Sequence, residues 1–284
     1  MIGRTEERKA AVGLLGDTPT RDYSRKLHLF NAFAEPELRR AIVGLGLRPG
    51  MRVLDAGCGT GEALHWLWDA VKPDGRVLGV ELATAHVREA RRGLAKPIEV
   101  IQGDLLDAAL PAESFDLIWC VNTLHHLRDP LLGLKRLASL LRAGGRMVVG
   151  QSSLVPDMYF AWDSRLEQAA NDAVRSYYRE RYSLDEREFT AVRSLLGRMR
   201  RAPLHNASVR TVMIERVTPL RPADEAYLLE AIFEKTWGDR LRPWLSADDR
   251  ATLSRLCDPQ HPQFALRRDD FHFLQTLTLA VGEI

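Results

Sequence analysis

The sequence predicts an α/β protein: a doubly wound, mainly parallel sheet with helices inserted as a cap. Three observations carry this reading. Between residues 52 and 150, apolar runs of strand length alternate with longer amphipathic runs, and Gly, Pro or Asp stands at the joints. A glycine-rich turn ends the first apolar run and opens an amphipathic one. The 284 residues, 45% hydrophobic and 27% charged, suffice to bury the core of one large domain with an insertion.

Residues 1–20 are polar, broken at Gly16 and Asp17-Thr18-Pro19, and read as a loose arm or lid. Residues 21–46 carry Leu27, Leu29, Phe30 and Phe33, then Leu38, Ile42 and Leu45, a helical spacing that Pro36 is expected to split into two helices. Arg48-Pro49-Gly50 is a turn. Strands are expected at 52–55, 76–81, 98–102, 115–122 and 146–150, with helices at 62–71, 85–95 and 131–141. The pattern changes after Ser153. Residues 154–206 read as helical, 208–217 as a strand, 222–256 as helical again and 271–281 as a final strand, the seventh. The expected organisation is an N-terminal helical arm or lid (1–40), a core (41–153), a helical cap (154–206), and the last two strands with a second insertion near 220–258 (207–284).

Composition narrows the function. The start, MIGRTEERKAAVGLL, lacks the apolar stretch of a signal peptide, and no run nears the ~18 apolar residues a membrane span needs. Cys58, Cys120 and Cys257 form no CxxC pair, which argues against a disulfide framework or a zinc site and for a reducing compartment. The cytoplasm is the expected location. A net charge of +2 gives no electrostatic reason to expect nucleic acid or an anionic membrane as partner.

The sharpest local signal is Val53-Leu54-Asp55-Ala56-Gly57-Cys58-Gly59-Thr60-Gly61-Glu62. Glycines let a ligand approach the backbone, and a helix N-terminus offers free N–H groups. The spacing is GxGxG, with Glu62 where a dinucleotide fingerprint needs its third small residue, so an NAD or FAD site is disfavoured. Glu81 ends the second strand, where a carboxylate can accept from both hydroxyls of a ribose. Asp104 follows the third, where it can accept from the amine of adenine. Asp55 can cap the N–H groups of the loop.

These residues carry a resemblance. VLDAGCGTGE, GVELA, QGDLLD, FDLIWCVNTLHHL and LLRAGGRMVVGQSS resemble, in order and spacing from about residue 50 to 153, the five motifs of the class I (Rossmann-like) S-adenosylmethionine (SAM)-dependent methyltransferases. The flavour is that of ubiquinone and menaquinone C-methyltransferases and natural-product enzymes. The resemblance implies SAM as cofactor and S-adenosylhomocysteine as product. The backbone around Gly57 and Gly59 would hold the methionine end, with Asp55 and Cys58 in the same cofactor-binding loop. Glu81 and Leu82 would take the ribose, and Gly103, Asp104 and Leu105 the adenine. Asn122 would line the sulfonium and the substrate mouth. Tyr23 resembles an N-terminal tyrosine that closes over SAM.

Methyl transfer requires an aligned acceptor and, for some O, N or C acceptors, a base. His125 or His126 is the candidate, with His125 nearer the strand end; each can equally be a packing histidine. With Asp129 they make no convincing metal set, and no metal is expected. The tetrad Asn122-Thr123-Leu124-His125 differs from the Asn/Asp-Pro-Pro-aromatic of amino-group nucleic-acid methyltransferases, and no Pro-Cys nucleophile is present.

Residues 41–153 contain four aromatics and residues 154–264 twelve, an imbalance that suits a cap over an apolar or aromatic small molecule. The same side chains, Tyr159-Phe160 and Tyr177-Tyr178 first among them, can instead form the cap's own core or a homodimer contact. The function expected is methylation of a small molecule. A cyclase-like SAM protein and a nicotinamide-dependent oxidoreductase are the alternatives.

Overall fold

Five apolar runs become the parallel part of one sheet: β1 (Arg52–Ala56), β2 (Arg76–Glu81), β3 (Ile98–Gln102), β4 (Phe115–Val121) and β5 (Leu141–Ser152). The computed structural model describes residues 17–94, 97–152, 158–183 and 191–284. The order runs β3-β2-β1-β4-β5, and then β8 (His272–Glu283) pairs antiparallel with β5. β6 (Met158–Phe160) continues along the same edge of β8, and β7 (His205–Val217) pairs along the other. β1 and β4 are buried almost throughout, as strands covered on both faces must be. Alternate residues feed two cores: Val53, Leu117 and Trp119 on one face, Leu54, Ile118 and Cys120 on the other.

The sheet therefore has eight strands among the described residues, against the seven expected. The extra one, β6, lies where a helix was expected. Tyr159 pairs with Leu274 and Phe160 with Phe273, so sheet pairing outweighs the local helical reading. β5 also begins at Leu141, five residues early. The helix before it, α4 (Pro130–Ala138), is correspondingly shorter.

Pro36 does not split the first helix. α1 (Ser24–Val43) is continuous, with Pro36 inside it. A helical proline disturbs the carbonyls one turn earlier. Here the Phe33 carbonyl accepts from the Arg216 guanidinium at 2.5 Å and from Arg221 at 3.1 Å. Arg216 also bonds Asp224 at 2.7 Å and Glu37 at 2.9 Å, and lies 4.6 Å over the Phe33 ring. This buried network fastens α1 to β7.

α2 (Glu62–Val71) and α3 (Thr84–Ala90) complete the βαβ units. The helical region after β5 holds α5 (Ser164–Tyr182), α6 (Ala191–Arg201), which packs on α4, β5, β7 and β8, α7 (Pro222–Ala226) running into a π-helical stretch (Tyr227–Thr236), a 3-10 turn (Asp239–Trp244) and α8 (Ala247–Cys257). Its aromatics mostly face one another. Phe160 stacks on Trp162 at 4.3 Å and sits 4.8 Å from Phe273 and 4.9 Å from Trp237. This part of the aromatic excess is the cap's own core. Phe189 lies outside the described residues, as do residues 1–16 of the expected N-terminal arm. No helix among the described residues is long and apolar enough to cross a membrane.

Candidate functional site

Parallel register brings the strand tips level. Asp55 stands beside Gly79 on β2 and Trp119 on β4, and Glu81 beside Gln102 on β3. Such a row of carboxyl ends is where open α/β sheets bind ligands. A cavity of about 220 Å³ opens there. It is lined by Tyr23, Asp55, Gly57, Cys58, Gly59, Glu81, Leu82, Gly103, Asp104, Leu105, Asn122 and His126. Of the candidate cofactor-binding and catalytic residues, His125 does not line it, and neither do Tyr159, Phe160, Tyr177 and Tyr178, the aromatics offered as a cap over the substrate.

The glycine loop crosses the tip of β1. Gly57 has φ +83°, and a Cβ there would fall 2.3 Å from the Thr123 side chain, so glycine is required both by backbone angle and by space. The Gly57 and Cys58 N–H groups bond the Val80 carbonyl, and the Gly59 N–H bonds Glu81 Oε2 at 3.0 Å. Glu81, not Asp55, thus caps the loop. The capping role expected for Asp55 is corrected: its Oδ2 is buried with no hydrogen-bond partner. Burial, with Glu81 and Glu62 nearby, pushes its carboxyl up to about 8.

Glu81 is the opposite case. Burial disfavours its charge, but His86, the Ala83 N–H at 2.9 Å and the Gly59 N–H hold it below the usual carboxylate range. His86 was not singled out in the sequence. It is fully buried on α3, its Nδ1 lies 3.4 Å from Glu81 Oε1, and its Nε2 accepts from the Tyr23 N–H at 3.2 Å. The Nδ1 atom is buried and makes no hydrogen bond. Tyr23 packs edge-on against it at 4.3 Å. Burial, with Asp17 and Glu81 nearby, pushes the Tyr23 phenol well up, so it stays protonated. Tyr23 is built to cover the cavity and not to take a proton.

Glu62 turns away from the loop to α1, accepting from Asn31 at 2.7 Å and Thr60 at 2.7 Å and meeting His28 Nδ1 at 2.5 Å. It ties the arm over the site. Asp104 Oδ1 accepts from the Leu106 N–H at 2.9 Å, which shapes the turn that carries Leu105. Asn122 sits at φ +55°, a conformation asparagine tolerates better than most residues, and its Oδ1 takes the Ser152 N–H and hydroxyl at 2.8 and 2.9 Å. It locks the β4 tip to β5 at the mouth.

The two histidines part ways. His126 Nδ1 lies 2.7 Å from Asp17 Oδ2, and Arg21 lies 3.0 Å from the other oxygen. Despite burial, His126 and Arg21 hold Asp17 below the usual carboxylate range. His125 is pushed well below the usual imidazole range by burial and by the neighbouring His126 and Lys26 charges, and Gln151 hydrogen-bonds it. The expectation that His125, as the nearer to the strand end, faces the reacting centre is corrected: the 3-10 turn Leu124–His126 directs His126 to the cavity instead. Burial raises the Cys58 thiol well above its ordinary value, leaving it a packing group and not a nucleophile. Among the described residues no group of three His, Cys, Asp or Glu side chains could hold a metal.

A glycine loop on β1, an acid at the tip of β2 and a second after β3, in a mainly parallel sheet flanked by helices, match the class I, Rossmann-like methyltransferase fold. Residues 53–145 match the family described as Methyltransferase domain. Among curated proteins it is 36% identical over 129 residues to nocamycin O-methyltransferase of Saccharothrix syringae, covering 44% of this chain and 45% of that one. It is 33% identical over 117 residues to 27-O-demethylrifamycin SV methyltransferase of Amycolatopsis mediterranei, covering 39% and 42%. The matches thus span less than half the length of either relative. Among solved structures, Haemonchus contortus phosphoethanolamine N-methyltransferase 2, in complex with phosphomonomethylethanolamine and S-adenosylhomocysteine, superposes with a TM-score of 0.52. That likeness is at 16% identity over 91% of this chain and 57% of the other, and it is one of fold.

Proposed function

We propose that the chain is a SAM-dependent methyltransferase that transfers a methyl group to an O, N or C atom of a small apolar or aromatic molecule. The observation that carries this is the Asp55 Oδ2 atom, buried and unpartnered in a cavity that also holds Glu81 and Asp104. Native proteins rarely leave a buried carboxylate oxygen without a donor. A cationic ligand supplies what is missing, and the methionine end of SAM carries an ammonium. The donor set fits the rest of the cofactor: Glu81 for ribose hydroxyls, the Gly103-Asp104-Leu105 turn for adenine, and apolar walls from Leu82 and Leu105.

SAM, when bound, supplies a methyl group already activated on a sulfonium. The chain's own work is then to orient and to exclude water. Tyr23 closes the nucleoside side. Asn122, fixed by Ser152, holds the mouth where an acceptor must align. His126, oriented by Asp17, is the proton acceptor available at the cavity wall for an acceptor that needs one. The names of two relatives, both enzymes of complex natural products, favour an oxygen acceptor in a molecule of that kind.

Thermal unfolding tests the reading. S-adenosylhomocysteine should raise the melting temperature in a concentration-dependent way, and NADH should not. Protection by NADH alone would assign the cavity to an oxidoreductase.

A further inference from the structure

Beside the cofactor cavity lies a second cluster, drawn from four elements. Tyr177 and Tyr178 come from α5, Arg240 from the 3-10 turn, Lys26 from α1, and His125 from the turn after β4. It adjoins the cavity through the His125 ring, 4.0 Å from that of His126, which lines the cavity.

The Arg240 guanidinium is held on two sides. Its Nε and Nη2 both donate to the Thr236 carbonyl at 3.1 Å, at the end of the π-helical stretch. Its carbon lies 4.6 Å over the Tyr177 ring and 5.5 Å from that of Tyr178. The Lys26 charge acts on both Tyr178 and His125. Arg21 also acts on Tyr178, but Asp17 engages its charge at 3.0 Å. Neither Lys26 nor Arg240 has a carboxylate partner among the described residues. Partly buried guanidinium groups are usually paired with an anion. Arg240 is instead fixed on aromatic faces and oriented there, with no carboxylate on it among the described residues.

We propose that Arg240 and Lys26 form an anion-recognition subsite of the acceptor pocket, and that the acceptor carries an anionic oxygen group, a carboxylate or a phosphate ester, on its aromatic or apolar body. This rests on the methyltransferase reading and deepens it. Tyr177 and Tyr178 provide the apolar wall and hold the guanidinium in place. The neighbouring cations also draw the Tyr178 phenol below its ordinary value despite its burial, as expected where positive charge lacks an anion.

The test is ligand binding to the full chain with saturating S-adenosylhomocysteine, using 1-naphthoate, 1-naphthyl phosphate and the neutral 1-naphthamide as probes. At least one anion should bind 10-fold or more tightly than the amide, and the stronger of the two identifies the anion type. Arg240→Gln should abolish that preference, Arg240→Lys should keep part of it, and Lys26→Met should reduce it several-fold, while S-adenosylhomocysteine affinity stays within 2-fold of wild type in each. Lys26→Met lies on an exposed helix face and guards against a variant that fails to fold. Equal binding of amide and anions, or anion preference untouched by Arg240→Gln and Lys26→Met, would overturn the subsite. Failure of S-adenosylhomocysteine to bind wild type would instead overturn the cofactor reading, and the same probe titration without it then decides the subsite alone.

Discussion

Asp55→Asn should make the ligand-free protein more stable and the cofactor site weaker. In the unfolded chain this carboxyl ionises near 3.8; in the folded chain it is pushed up to about 8. Between those values the folded state keeps a proton that the unfolded state has released. Stability from this group is therefore fully present below about pH 4, falls as pH rises, and levels off above about pH 8. At about 1.4 kcal/mol per tenfold change in proton affinity, the loss by pH 8 reaches about 5 kcal/mol. Asparagine has the same shape and no charge, so it removes that loss, less about 1–2 kcal/mol for an amide that also lacks a full set of partners. The variant should match or fall slightly below wild type near pH 5 and exceed it by a few kcal/mol near pH 8. Urea denaturation of both proteins across that range reads the difference directly. A difference independent of pH, or a variant less stable than wild type near pH 8, would refute the claim that an ionised Asp55 is unfavourable in the ligand-free cavity.

Ligand binding should show the same proton. If an ammonium pairs with Asp55, S-adenosylhomocysteine binding to wild type releases close to one proton near pH 7, seen as a buffer-dependent heat in calorimetry, and Asp55→Asn abolishes that release. Glu81→Ala and Asp104→Ala should each weaken S-adenosylhomocysteine binding by roughly 1–3 kcal/mol, measured by calorimetry, because each leaves ligand donors or loop N–H groups unpaired. Arg216→Met should destabilise the fold by roughly 1–3 kcal/mol in urea denaturation, since Glu37, Asp224 and the Phe33 carbonyl each lose a buried donor and keep only Arg40 or Arg221 as partner.

The parallel core was legible because its strands are short, apolar and punctuated. β2 and β3 appear at the residues their apolar runs mark, and the glycine loop falls where Gly57, Gly59 and Gly61 place it. The cavity lining was legible for the same reason, since strand tips in a parallel sheet converge whatever the intervening helices do. What remained hidden depends on contacts distant in sequence. β6 is a strand because β8 offers an edge to Tyr159 and Phe160. α1 runs through Pro36, and two arginines, about 180 residues away, bond the Phe33 carbonyl in the turn before it. His86 carries no local motif, and its role exists only because α3 returns it beneath Glu81. The exchange of roles between His125 and His126 turns on the handedness of one 3-10 turn, which adjacent identical residues do not announce. Asp17 reads in sequence as part of a loop break, and only folding brings it to His126.

A crystal structure of the chain with S-adenosylhomocysteine bound tests the account most directly. The ribose hydroxyls should lie within hydrogen-bond distance of Glu81, the adenine beside Asp104 and Leu105, the ammonium against Asp55, and the sulfur should face Asn122. A ligand found elsewhere on the molecule, or a nucleoside in the cavity with its ribose turned away from Glu81, would contradict it.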